Sequence, residues 1–433
     1  MNEYKVIKNR IKVCLDSSID DEGYFSDDFL FDNLEKLKIL QDYDNSEVQI
    51  IIEDLYSAIT NESHLKRLFL ASLDISILDS LIFCLEIQNC DPIVRFSLRI
   101  IIICIENNSI PVNMYLELCF FDKIVMILDN CVDHNTIHLV LLIIIQLSEK
   151  EEFQELLSDR FIYKKLSSLI SKYQSSNEII HMLSCIFSNF VSFNTGPIMI
   201  SLKNCVSLFN ISATITDQCF RDQIQISILN GFSKFITSCH VKALYFINQK
   251  YFLSLIKHYH NWLQIPKPVT SCVLAAFFKM ISNMFVSLEK NDNISIESYI
   301  EPELLINSIK LHEDSLVPFI METYRTIINV TPMFIMKCNK SLFFDHIWER
   351  CLNGTYNTKR EIVLSIIDSA LLSPSDEEVY PLIRNDYIQA IVDLANVNPS
   401  DKILNGLRII NAVWMNSHFF EIELHDQIIQ LLE

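Results

Sequence analysis

Glycine is nearly missing from this sequence: five residues in 433, at Gly23, Gly196, Gly231, Gly354 and Gly406. Loops that cradle phosphates or dinucleotides need glycine where the backbone must approach the ligand. Neither G-x-G-x-x-G nor G-x-x-x-x-G-K-[ST] occurs, so nucleotide binding through those motifs is excluded. G-x-S-x-G and H-E-x-x-H are also missing, which removes the local signatures of serine hydrolases and zinc peptidases. The 13 cysteines never form C-x-x-C; they read as free, buried thiols of a reducing compartment. Long hydrophobic runs are absent too. Ile100–Ile105 and Leu139–Ile145 fall far short of the roughly 20 residues that span a bilayer. The first residues carry Lys5, Lys8, Arg10 and Lys12 against Glu3 but no apolar core of a signal peptide. The expectation is a cytoplasmic, or cytoplasmic and nuclear, chain without membrane insertion. Bases are outnumbered, 35 to 54, and basic pairs such as Lys164-Lys165 stand isolated. Nucleic-acid binding needs clustered Lys and Arg, so no nucleic acid is expected as a partner.

What is abundant is apolar sequence at helical spacing. In Ser176–Val191, Ile179, Met182, Leu183, Ile186, Phe187 and Phe190 share one broad helical face. Ser175, Ser176 and Asn177 are candidate N-caps, and Glu178 suits the positive helix end. The same pattern recurs at Val48, Val94, Ile137, Ile179, Ile224, Val273, Val317, Ile362 and Ile403, every 41–49 residues. Shorter apolar segments alternate with it, centred on Leu81, Ile124, Leu166, Val206, Leu255, Leu305, Ile347 and Ile391, every 40–50 residues. Two ladders in phase predict stacked two-helix units that share one core.

Residues 1–30 read as an acidic, partly disordered lead-in, and 31–433 as the repeat domain. Between Asp16 and Glu47, eleven acids face only Lys36 and Lys38, with Tyr24, Phe25, Phe29 and Phe31 interleaved. That mixture suits either a docking segment or a solvated cap. Thr195-Gly196-Pro197 and Ile265-Pro266-Lys267-Pro268 mark candidate bends, near 195–215 or 262–268. Cys131, His134 and His138 have the spacing to share a helix face, but Asp133 suits capping and a fourth ligand is missing. The expectation is no metal, no cofactor and no enzymatic activity.

The period and the helix plan resemble the armadillo and HEAT superfamily over about residues 30–433. The resemblance implies an all-α, right-handed α-solenoid of about nine armadillo/HEAT-like repeats. It also implies a long groove for other proteins or extended peptides. In armadillo adaptors of the importin-alpha type, the inner helix carries a Trp and, four residues later, an Asn that holds a bound peptide's backbone. This chain has the Asn in SNF (Asn189), SNM (Asn283) and INV (Asn329). By that resemblance these three are candidate peptide-binding residues; they also fit helix C-termini, where Asn tolerates αL. Four residues earlier stand Cys185, Lys279 and Arg325 instead of Trp. Trp262, Trp348 and Trp414 lie elsewhere, and the basic N-terminal segment of such adaptors is missing. The function expected is a non-catalytic protein-binding adaptor or scaffold that uses the solenoid groove. One alternative is a divergent karyopherin-alpha-like nuclear import adaptor for basic peptides, which requires a negative groove. Another is a regulatory or scaffold subunit of an enzyme complex, which requires an exposed apolar patch.

Overall fold

The computed structural model describes residues 25–87, 91–109, 111–150, 152–153, 162–193, 198–248, 251–264, 270–288, 300–311, 314–373, 375–417 and 420–432. Among them every regular element is helical and no strand occurs. The expected all-α solenoid is the observed fold class. The long ladder comprises α1 (Asn45–Asn61), α2 (Asp91–Glu106), α3 (His134–Ser148), α4 (Asn177–Phe193), α5 (Gln218–Thr237), α6 (Ser271–Val286), α7 (Val317–Val330), α8 (Tyr356–Leu372) and α9 (Asp401–Trp414). The short ladder comprises Ile75–Phe83, Phe120–Asn130, Ile162–Lys172, Ile198–Ser212, Tyr251–Gln264, Pro302–Leu311, Phe343–Asn353 and Asn385–Val397.

Each sequence anchor falls in one of these helices, and all but two are buried. Val94 and Val206 are half-buried because Ile93 and Cys205, one residue earlier, take the core positions. Helix starts are fixed by short polar side chains. Asp44 accepts from the Ser46 and Glu47 amides at 2.9 and 3.0 Å while Glu47 reaches back to the Asp44 amide at 3.1 Å, a capping box. Asp133, Thr355 and Ser400 cap α3, α8 and α9 by accepting from the Thr136, Thr358 and Ile403 amides, without the reciprocal bond.

The chain forms two compact units, 1–228 and 229–433, and the division falls inside α5. Within the first unit α1 to α4 pack side by side in chain order. Within the second, α6 packs on α7, α7 on α8 and α8 on α9. Residues 1–24 of the lead-in and the two proline-bearing breaks, 194–197 and 265–269, lie outside the described residues. Of the lead-in, 25–30 is described, and a helix, Asp27–Lys38, already starts there. Ser26 caps it by accepting from the Phe29 amide. Asp27 and Asp28 sit in its first turn, where carboxylates favour a helix. Cys119, Cys219, Cys239 and Cys272 are exposed, so the cysteines are not uniformly core residues; Cys272, for example, starts α6 on its solvent side. No single described helix is long and apolar enough to cross a bilayer.

Gly406 shows how closely α8 and α9 approach. A Cβ there would lie 2.5 Å from Cγ2 of Ile367, a fully buried, β-branched side chain. In a free helix, Gly→Ala stabilises by about 1 kcal/mol. Here the overlap must push two packed helices apart, a cost of about 1–3 kcal/mol. Gly406→Ala is therefore expected to lower the melting temperature, and a rise would show that the two helices can separate freely.

Candidate functional site

Helical periodicity decides which side chains of the long ladder reach solvent. On α7, Ile320, Tyr324 and Ile327 are buried, whereas Phe319, Glu322 and Asn329 are exposed and Pro318, Arg325 and Thr326 half-buried. The corresponding stripe carries Lys279 and Val286 on α6, Asn357, Arg360 and Leu364 on α8, and Lys402, Asn405 and Arg408 on α9. A groove of about 760 Å³ lies between the first turns of α7 and α8, lined by Pro318, Phe319, Glu322, Arg325, Asn357, Arg360 and Glu361 among others. Its floor is held by Asp314, whose Oδ2 accepts from the Thr355 amide at 3.0 Å.

The charges on this stripe are layered. Glu361 accepts from Arg325 and, at 3.1 Å, from Arg360. Asp368 accepts an ion pair from Lys402 at 2.6 Å. Asp368, 6 % exposed, lies beneath Lys402 at 51 %; Glu361, 15 % exposed, lies beneath Arg360 at 42 % but level with Arg325 at 19 %.

The first unit's stripe is different. The Arg99 guanidinium lies over the Tyr56 and Phe96 rings, 5.4 Å from each, and Gln146 donates to Glu106 at 3.2 Å. His181 is buried, edge-on to Phe220. Burial pushes His138 below the ordinary histidine range, against an opposing pull from Glu178. On α3 this face is buried at Leu139, Leu142 and Gln146, whereas Ile50 on α1 is 60 % exposed.

The three candidate asparagines do not act alike. Asn189 donates from Nδ2 to the Ser148 hydroxyl at 2.9 Å, and Asn283 donates to the Ser233 hydroxyl. Each bond runs back to the preceding long helix. On α7 that position belongs to Thr326, which donates to Ser282 at 3.4 Å. Asn329 lies one turn beyond it and is exposed. Asn189 and Asn283 thus occupy equivalent places in a seam between neighbouring helices, and Asn329 stands apart. The seam's acceptors, Ser148 and Ser233, lie about one repeat upstream in the sequence, a signal that could have found them. Of the residues with metal-ligand spacing, Asp133 is engaged as a cap, accepting from the Thr136 amide at 2.8 Å, and His134 stands edge-on to Tyr173. No group of three or more His, Cys, Asp or Glu among the described residues could hold a metal ion.

No family model and no curated protein sequence matches the chain. Solved structures do. An engineered protein from a structural genomics consortium matches with a TM-score of 0.63 at 13 % identity, over 92 % of each chain. A chain from work on a conserved phosphorylation switch that controls the interaction between cadherin and β-catenin matches with a TM-score of 0.53 at 11 % identity. It covers 92 % of this chain and 80 % of that one. At these identities the likeness concerns the fold.

Proposed function

We propose that the chain is a non-catalytic protein-binding adaptor or scaffold of the cytoplasm or nucleus, and that its partner lies along the stripe of α6–α9. One observation carries the reading. The groove between α7 and α8 leaves the large apolar ring of Phe319 36 % exposed beside Arg325 and Arg360. Aromatic and Arg side chains at the centre of a concave patch are the usual anchors of protein interfaces. The fold supports it as well, since stacked helical repeats present long faces to extended partners. Similarity to a chain from a study of the cadherin and β-catenin interaction agrees with a binding role. The reading as a carrier of basic peptides requires an acidic face, and the outward cations of α6–α9 disfavour it.

The test compares the full chain with Phe319→Glu as baits in cell extract at low and high salt, read by mass spectrometry. A small set of proteins retained at constant ratio in high salt, and reduced about tenfold or more on Phe319→Glu, is expected; tenfold corresponds to about 1.4 kcal/mol. Equal retention on both baits, or none on either, would contradict the assignment.

A further inference from the structure

We propose that the groove between α7 and α8 holds one arginine side chain of the partner, its guanidinium stacked on Phe319 and paired with Glu322. This rests on the protein-binding reading above and adds the chemistry of the partner's anchor.

Most of the charge in the groove is already engaged. Five charged side chains line it: Asp314, Glu322, Arg325, Arg360 and Glu361. Glu361 accepts from both Arg325 and Arg360. Asp314 accepts from the Thr355 amide at 3.0 Å and lies 4.0 Å from Arg350. Glu322 is exposed, and among the described residues no cation pairs with it. The lining acids thus outnumber the lining bases by one, and the carboxylate left open to solvent is that of Glu322.

Its neighbour on the helix decides which cation fits. Phe319 and Glu322 are three residues apart on α7, so their Cβ atoms lie about 5–6 Å apart on one face. The Phe319 ring is partly exposed, with Pro318 beside it in the groove wall. A planar guanidinium can lie over the ring while its N–H edge forks to the carboxylate. The lysine ammonium is a compact, strongly hydrated point charge and gains less from such a pair.

The flanking helices restrict the partner to a single base. Both α6 and α8 pack on α7, and they carry the exposed Lys279 and the half-buried Arg360. A second base beside the anchor would approach one of these cations and be repelled. That sets this ligand apart from a strongly basic peptide. A phosphate or carboxylate in the same place would meet Glu322 with like charge.

The experiment uses the purified full chain, fluorescently labelled, on arrays of peptides with blocked termini. Each pool has one fixed central residue and a mixture of Ala, Leu, Pro, Ser and Thr at five positions on either side. The central residue is Arg, Lys, Glu or citrulline, which has the shape of Arg without its charge; a further pool carries four consecutive Arg. The Arg pool is expected to be retained about fivefold over citrulline, the upper range for a solvent-accessible ion pair. It should also exceed Lys and the Arg run, and weaken with salt. Glu322→Gln should abolish the difference between Arg and citrulline, and Glu322→Arg should transfer the preference to the Glu pool. Phe319→Leu should narrow the gap between Arg and Lys. Glu349→Gln, at an exposed acid on Phe343–Asn353, should change nothing. Circular dichroism checks that the variants fold, which the exposure of these side chains favours. No retention of the Arg pool, equal retention of citrulline, stronger retention of the Arg run, or a preference for Arg that survives Glu322→Arg overturns the proposal. If it falls while the proteins retained through Phe319 persist, the protein-binding reading stands without this anchor.

Discussion

Tyr324→Ala is expected to destabilise the second unit by about 3–5 kcal/mol. The ring is fully buried on α7. It stacks on Phe343 at 5.0 Å, meets Phe344 edge-on at 5.6 Å and lies 6.3 Å from Phe334. Its hydroxyl bonds Ser369 of α8 at 2.6 Å. One side chain therefore ties together two long-ladder helices and the short-ladder helix Phe343–Asn353. Burial raises its phenol far above the ordinary tyrosine range, so it stays protonated and able to donate. Tyr324→Phe separates ring from hydroxyl. Ser369 still donates to the Ser365 carbonyl at 2.7 Å, so it is not left without a partner, and the loss should be only about 1 kcal/mol. Urea unfolding followed by tryptophan fluorescence measures both, because Trp262, Trp348 and Trp414 all fall in the second unit. Equal losses for the two variants would mean that the ring fills no tightly packed space.

Trp414→Ala should cost a similar amount, about 3–5 kcal/mol, with a more local effect. Trp414 ends α9 and is fully buried. Its indole Nε1 donates to Asn385 Oδ1 at 3.1 Å, and its ring lies 5.1 Å from Phe420 and 6.4 Å from His425. It thus fastens both Asn385–Val397 and the last helix, Ile422–Leu432, to α9. Only Leu424 and Ile428 of that last helix are buried, so little else holds it. Limited proteolysis should cut Trp414→Ala near residues 415–425 well before the wild type. Cleavage at the same rate would show that Leu424 and Ile428 suffice.

The repeat architecture was legible because burial in a stacked helix leaves a periodic apolar trace in one chain. Ile137, Ile179 and Ile362 could be placed in the core from spacing alone. Val94 and Val206 show the precision of that reading: neighbours Ile93 and Cys205 are as apolar, and only packing decides between them. The helix starting at Asp27 was obscured by its acids, which resemble a disordered run until Ser26 is recognised as a cap. The candidate site was legible only in its ingredients. Lys359-Arg360-Glu361 reads as a mixed charged triplet. That Glu361 lies between Arg325 and Arg360 depends on how α7 and α8 are set against each other. The asparagines show the same limit. Asn283 and Asn329 are about one repeat apart in sequence, yet Thr326 takes the equivalent place on α7, because the helices differ in register by a turn.

The most direct test of the proposed binding face is hydrogen–deuterium exchange on the full chain, with and without the protein retained through Phe319. Protection should concentrate in the first turns of α7 and α8 and along α9, which border the groove and the outward cations. Protection confined to the short-ladder helices Phe343–Asn353 and Asn385–Val397, with α7 and α8 unchanged, would place the partner on the other layer and contradict the account.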